Sequence, residues 1–249
     1  MNKLTLAAAL VASMTGMTAA HAYQVEAGAD YTYFDVDKGD SVNNFGVDAT
    51  YYFNPVTDNN APLAEAGFMN RAGNVGVRIA TDDADNDTTQ FGVGAEYYIP
   101  DTDFYVSGNV SRVEDDYGHA NQFGAEVGYL PAPNFLVAAG LVRTKTGGES
   151  NTDPSIRAKY VTRVGEHDWN FEAGGVFGDY DSYNIAADYY VDNTFSIGGQ
   201  YVNTDLGAGD YDTFNIRARK FINQQVSVQG ELGFGDDTNT FGLRGTYRF

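Results

Sequence analysis

The amino-acid sequence predicts an all-β fold: a transmembrane antiparallel up-and-down β-barrel of about 14 strands, with about 12 as the alternative. The first observation is the alternation at the end of the chain. From Phe241 to Phe249 every second residue is apolar, aromatic or glycine, and the residues between them are small or polar. Successive side chains of a strand point to opposite faces, so this stretch predicts a strand with one apolar and one polar face.

The second observation is that similar strand endings recur along the chain, at intervals of about 30 residues after a longer first interval. Such a repeat accommodates two strands of about ten residues, one short turn and one longer loop, and a tilted strand of about ten residues crosses a bilayer. The endings fall at Phe53, Ile99, Leu130, Val161, Val191, Phe221 and Phe249.

The composition agrees with this prediction. The chain has 29 Gly, 18 Tyr and 16 Phe against 6 Pro, and it has no Cys, so its stability does not depend on disulfides. The mean hydropathy of −0.36 fits strands whose second face is polar. A net charge of −19 argues against nucleic acid as a partner, because phosphate binding needs a basic surface.

The N-terminus predicts export. Lys3 precedes an apolar run that ends in Ala20-His21-Ala22, as in a cleavable secretory signal peptide. We therefore expect two parts, a signal peptide at 1–22 and an outer-membrane barrel domain at 23–249.

The alternation places the predicted strands one by one. The connections after even-numbered strands are mostly brief and rich in Pro, Asn and Asp, whereas those after odd-numbered strands are generally longer and more acidic. We expect the longer loops outside the cell and both termini on the turn side. The strands are predicted near 24–35, 43–53, 73–81, 88–99, 104–114, 120–130, 135–144, 155–164, 169–178, 182–191, 194–204, 212–221, 225–234 and 239–249.

One turn-side connection, residues 54–72, is much longer than the others. Pro62 and the helix formers that follow it predict a short helix. The helix could lie on the periplasmic rim or fold into the lumen, and we favour the rim.

The polar face of the strands carries most of the candidate functional residues. A Lys or Arg facing lipid at mid-membrane costs about 2–4 kcal/mol, so charges that share one parity predict a wet interior. Acids and bases concentrate on different strands, which predicts an acidic and a basic wall, although pairing between neighbouring strands is the alternative. We expect Glu231 to pair with arginines of strands twelve and fourteen. The predicted pore-lining residues are Glu26, Asp30, Asp48, Arg78, Glu96, Glu126, Arg157, Lys159, Glu172, Asp188, Arg217, Arg219, Arg244 and Arg248.

Other chemistry has little support in the sequence. The acidic loop at 81–87 lacks the glycine and the terminal Glu of an EF-hand, so we expect a solvated loop and no metal site. His119 and His167 lie in predicted connections without an evident nucleophile and carboxylate. We therefore expect neither catalytic residues nor a cofactor.

Four stretches resemble the general porin family of gammaproteobacterial outer membranes. They are APLAEAGFMNRAGNV, YYIPDTDFYVSGNV, GYLPAPNFLVAAG and FEAGGVFGDYDSYNIAADYY. The resemblance implies a diffusion channel. It also implies that Tyr247 and Phe249 form the signal by which the barrel-assembly machinery recognises its clients.

Two functions follow as hypotheses. The first is a porin that lets small hydrophilic solutes or ions diffuse passively through a water-filled lumen, with outer-membrane lipid around it. The second is a non-enzymatic structural or adhesive barrel whose lumen is plugged. A wide barrel with polar walls favours the porin, and its acidic loops predict a mild preference for cations.

Overall fold

The computed structural model describes residues 22–37, 39–84, 87–178, 181–205 and 210–249, and within them 14 antiparallel strands form a closed barrel. The proposed signal peptide at 1–22 lies outside the described residues, except for Ala22. The strands are β1 (Ala22–Val36), β2 (Val42–Thr57), β3 (Asn74–Asp82), β4 (Thr89–Tyr98), β5 (Phe104–Glu114), β6 (His119–Ala132), β7 (Phe135–Thr146), β8 (Glu149–Val164), β9 (His167–Val176), β10 (Ser182–Asp192), β11 (Phe195–Asp205), β12 (Asp210–Phe221), β13 (Val226–Gly235) and β14 (Thr238–Arg248).

Each strand pairs with its neighbours in sequence, and β1 closes the barrel against β14 in a register that runs from Glu26 opposite Arg248 to Val36 opposite Thr238. Beyond the register, the Phe249 N–H donates to the Val25 carbonyl at 2.9 Å, and the Gln24 N–H donates to the Phe249 carbonyl at 2.9 Å. Closure satisfies the backbone groups that an open sheet would leave unpaired at its edges. The predicted fold class is confirmed with 14 strands, and the first and last described residues, Ala22 and Phe249, lie at the turn side.

The outer face of the barrel is apolar, as the alternation predicts. Phe45, Leu141 and Ile185 are 55%, 56% and 57% exposed, and Val47, Ala139 and Tyr183, each two residues away on the same strand, are apolar or aromatic as well. Such a face is stable only against lipid, because a soluble protein rarely exposes so large an apolar surface.

The predicted long loop between strands seven and eight is absent. β7 and β8 continue through most of that stretch and meet at Gly147 and Gly148, whose φ angles are 59° and 91°. A two-residue hairpin turn of this kind needs positive φ at both positions, which glycine adopts without a steric cost. β8 therefore begins at Glu149 instead of residue 155.

Residues 58–73, which we call the inner segment, connect β2 to β3. They contain a 3₁₀ helix, Leu63–Glu65, and one helical turn, α1, at Ala66–Met69. In the described part of the chain, neither of these helices is long and apolar enough to span a membrane.

Candidate permeation path

The inner segment lies inside the barrel, so the favoured position on the rim is wrong. Its contacts reach strands that are far apart in the barrel order. Glu65 binds Lys159 of β8, and the Leu63 carbonyl accepts a hydrogen bond from Arg248 of β14. Only a segment that crosses the opening can contact side chains on the inner faces of both strands.

Glu65 is the charged anchor of the inner segment. It is 6% exposed, its Oε2 lies 2.8 Å from the Lys159 Nζ, and its Oε1 accepts a hydrogen bond of 2.6 Å from the Tyr190 hydroxyl. Lys159 also contacts Glu172 at 2.7 Å. A carboxylate buried this deeply is stable only when it is paired and hydrogen-bonded, and here both conditions are met.

Phe68 is the apolar anchor. Its ring packs against a buried cluster formed by Tyr98, Tyr105, Leu130 and Leu136, at the turn-side ends of β4, β5, β6 and β7. These four residues share the inward parity of the strands. Polar side chains at these positions would suit a wet lumen, whereas apolar side chains are stabilised by exclusion from water. Phe68 shields this cluster from the water of the lumen.

Backbone and side-chain contacts fix the rest of the inner segment to the turns. The Leu63 N–H donates to the Asn193 carbonyl at 2.8 Å, and Arg71 lies 3.0 Å from Asp103 in the β4–β5 turn. Asn70 donates hydrogen bonds to the Thr57 and Ala66 carbonyls. The inner segment is therefore held at several places around the opening and narrows the lumen at its turn side.

Farther from the turns, two arginines and two aspartates form a cluster, the tetrad, on the inner faces of β1, β2, β3 and β14. Arg78 lies 2.7 Å from Asp30 and 3.4 Å from Asp48, and Arg244 lies 2.7 Å from Asp48 and 3.1 Å from Asp30. The tetrad has no net charge. It replaces the predicted segregation into walls, because β14 carries its base next to the acids of β1 and β2.

Glycine at two positions makes the tetrad sterically feasible. A Cβ at Gly28 would collide with the Arg244 guanidinium, and a Cβ at Gly46 would collide with the Arg78 guanidinium. Both glycines lie on inward positions of the strands that carry Asp30 and Asp48.

The remaining bases on the inner face also meet acids, with one exception. Arg217 lies 2.8 Å from Asp188, Arg157 lies 3.0 Å from Glu126, and the Arg248 guanidinium binds Glu26 between the rings of Tyr23 and Phe221. The exception is Arg219. Its guanidinium makes no hydrogen bond or ion pair in the part of the chain that the structure describes, and its Nε is buried.

Glu96 and Glu231 are inward carboxylates that also have no ion pair among the described residues. Glu96 lies opposite Asn74 and Ser107 in the register. Glu231 lies opposite Arg217, which binds Asp188 instead, and Arg244 belongs to the tetrad. The expected ion pair between Glu231 and these arginines is therefore not formed.

A cavity of about 380 Å³ lies against the inner faces of β2, β3, β4 and β5. Its wall includes the inward glycines Gly76, Gly92 and Gly94, which leave the backbone uncovered, together with hydroxyl and amide groups. Its charged lining residues are Asp48, Arg78 and Glu96. On β4 and β5 its lining residues, 92–96 and 107–111, lie farther from the turn than Tyr98 and Tyr105, which Phe68 covers.

The loop side of the barrel is acidic. Asp83 accepts hydrogen bonds from the backbone N–H and the side-chain amide of Asn43 at 2.6 and 2.8 Å, and these bonds hold the pKa of the Asp83 carboxyl below its usual value. Asp82 accepts hydrogen bonds from the N–H groups of Ala84 and Thr88. These hydrogen bonds link the described ends of the β3–β4 connection to each other and to β2.

The structure thus brings most of the predicted pore-lining residues together in a few neutral or nearly neutral groups. The residues that receive the inner segment were not predicted from the sequence, although they carried a signal. Tyr98, Leu130 and Leu136 are apolar residues on the polar parity of their strands. Inward apolar residues at one end of a wet barrel indicate that something covers them.

Comparison with known proteins places these features in context. The model of the family described as "Putative general bacterial porin" matches residues 1–153. The outer membrane protein Omp33 of Acinetobacter baumannii is 28% identical, and the match covers 92% of this chain and 99% of that chain with a TM-score of 0.77.

Two further structures share the fold alone. A bacterial polysaccharide outer membrane secretin is 8% identical, with coverage of 93% of this chain and 100% of that one and a TM-score of 0.54. The KdgM porin in complex with disordered oligogalacturonate is 10% identical, with coverage of 89% and 99% and a TM-score of 0.50. No curated protein matches the sequence.

Proposed function

This chain belongs to the family of general bacterial porins, and from that premise we propose that it is a constricted diffusion channel for small hydrophilic solutes and ions. Its family and its barrel, which is similar to that of Omp33, make it a porin of the outer membrane. The narrower proposal concerns the route through the barrel and the residues along it.

The observation that carries the proposal is the contrast between two levels of the lumen. At the turn side, the inner segment is held by Glu65, Leu63 and Phe68. Farther from the β4–β5 turn, the cavity of about 380 Å³ has a polar, glycine-rich wall. We propose that solutes pass along this wall and that the inner segment sets the size limit.

The pore-lining role of the predicted charges is part of the same proposal. The tetrad and the other ion pairs give the wall alternating charge with little net field, which suits passage of many polar solutes and disfavours tight binding of one. We assign no catalytic role to these residues, since a channel has no need of one.

Export and assembly complete the proposal. We propose that residues 1–22 are removed as a signal peptide and that residues 23–249 form the mature barrel. We also propose that the rings of Tyr247 and Phe249, whose centroids lie 4.6 Å apart, are recognised by the barrel-assembly machinery.

Liposome swelling tests the proposed function. Refolded mature protein in liposomes should let small polyols and monosaccharides enter and should exclude larger oligosaccharides. If protein that migrates as a folded barrel on heat-modifiable gels gave no swelling with any solute, a plugged structural or adhesive barrel would replace the channel. Swelling with large oligosaccharides would contradict the role of the inner segment.

A further inference from the structure

The cavity lined by β2, β3, β4 and β5 contains one carboxylate that no base neutralises by contact. Glu96 makes no ion pair and no side-chain hydrogen bond in the described ranges of the chain, and its register neighbours Asn74 and Ser107 are uncharged. Arg157 lies close enough to Glu96 for an electrostatic interaction, but its guanidinium donates its hydrogen bonds to Glu126 and the Tyr105 hydroxyl.

The other charges that line the cavity cancel each other. Asp48 and Arg78 belong to the tetrad, in which each carboxylate contacts both guanidinium groups. The tetrad therefore presents little net charge to a passing ion. Glu96 supplies the uncompensated charge of this cavity.

The wall around Glu96 leaves room for an ion that keeps part of its hydration. Gly92 and Gly94 share its parity on β4, and Gly76 lies opposite Gly94 on β3. Ser107 and Asn109 add neutral oxygen atoms along β5. A lone carboxylate in a narrow space bounded by protein attracts cations more strongly than one in open water, because the effective dielectric constant is lower.

We propose that Glu96 determines the charge selectivity of the channel. Small monovalent cations, and the ammonium groups of small solutes, dwell at its carboxylate as they pass the cavity, while anions are disfavoured. This inference rests on the proposed porin function and assigns its selectivity to one residue of the lumen instead of the acidic loops.

Reversal potentials in a KCl gradient across a planar bilayer test this assignment. Glu96→Gln should remove most of the preference for potassium over chloride. The matched control is Glu231→Gln, which removes the same charge from the lumen. Glu231 also faces inward and has no ion pair among the described residues, but it lies outside the cavity. Equal shifts in the two variants would overturn the proposal, because the net charge of the lumen would then explain the selectivity.

Thiol chemistry provides a second test, since the chain has no Cys. In Glu96→Cys, a negatively charged sulfonatoethyl reagent should restore cation preference, and a positively charged trimethylammonium reagent should turn it toward anions. Both reagents should leave Glu231→Cys nearly unchanged. If the wild type conducts and the reagents have no effect at position 96, the inference fails while the porin function stands; if the wild type does not conduct, the porin function itself fails.

Discussion

Tyr190 and Glu65 are 125 residues apart in the chain, yet the Tyr190 hydroxyl donates a hydrogen bond of 2.6 Å to the Glu65 carboxylate inside the barrel. Lys159 contacts the other oxygen of the same carboxylate. This contact ties the connection between β2 and β3 to the walls formed by β8 and β10. It makes the inner segment a structural part of the lumen.

Neutralising the anchor should loosen the inner segment. Glu65→Gln removes the charge that faces Lys159, and breaking a buried ion pair from one side costs about 3–5 kcal/mol. We expect the lower end of that range, because Lys159 keeps Glu172 as a partner. Single-channel recordings should show frequent steps to a larger conductance.

The control for this variant is Glu172→Gln, which takes the other carboxylate from the same lysine and leaves the inner segment anchored. It should not produce the larger steps. Identical recordings from both variants would mean that Glu65 has no special role in holding the inner segment.

Removing the apolar anchor should expose the inner segment to reagents. Phe→Ala at a buried site costs about 3–5 kcal/mol, and Phe68 is only partly buried, so a smaller loss is expected. In an Ala64→Cys background, Phe68→Ala should increase the rate of maleimide labelling. Phe104→Ala, which removes an outward ring at the same end of the barrel, should leave that rate unchanged.

Disrupting the tetrad should change the charge of the lumen in a known direction. Arg244→Gln leaves Asp30 and Asp48 with Arg78 as their sole partner in the tetrad, so the lumen gains one net negative charge. The reversal potential in a salt gradient should move toward stronger cation preference. The reversal potential of Arg244→Lys should stay close to that of the wild type. An unchanged reversal potential in folded Arg244→Gln would show that ions do not pass near the tetrad.

The contribution of the Phe249 ring can be tested separately from that of the Phe249 backbone. Phe249→Ala keeps the N–H and C=O groups that bond Val25 and Gln24 and removes the aromatic group. We expect less protein in the outer membrane of cells but the same folded fraction after refolding in detergent. The control is Phe241→Ala, which removes an outward ring from the same strand. Equal amounts of the two variants in the outer membrane would contradict a role of the Phe249 ring in assembly.

The barrel was predictable from sequence because period-2 alternation and the spacing of aromatic strand endings are local signals. The position of residues 58–73 was not, since it depends on contacts between residues distant in sequence, such as Glu65 with Tyr190. Leu136 gave the missing clue, an apolar side chain facing inward beside Lys159 in the register. The partners of the inward charges were hidden as well, because side-chain length lets Arg244 reach past β1 to Asp48 on β2.

The most direct test of the whole account is single-channel conductance in planar bilayers for two refolded proteins. One is the mature wild type, and the other has residues 59–71 replaced by the same number of glycines and serines, which removes the anchors without shortening the chain. We expect discrete, salt-dependent steps from the wild type and larger steps from the replacement. Silence from both folded proteins would contradict a water path through the barrel, and equal steps would contradict a constriction by the inner segment.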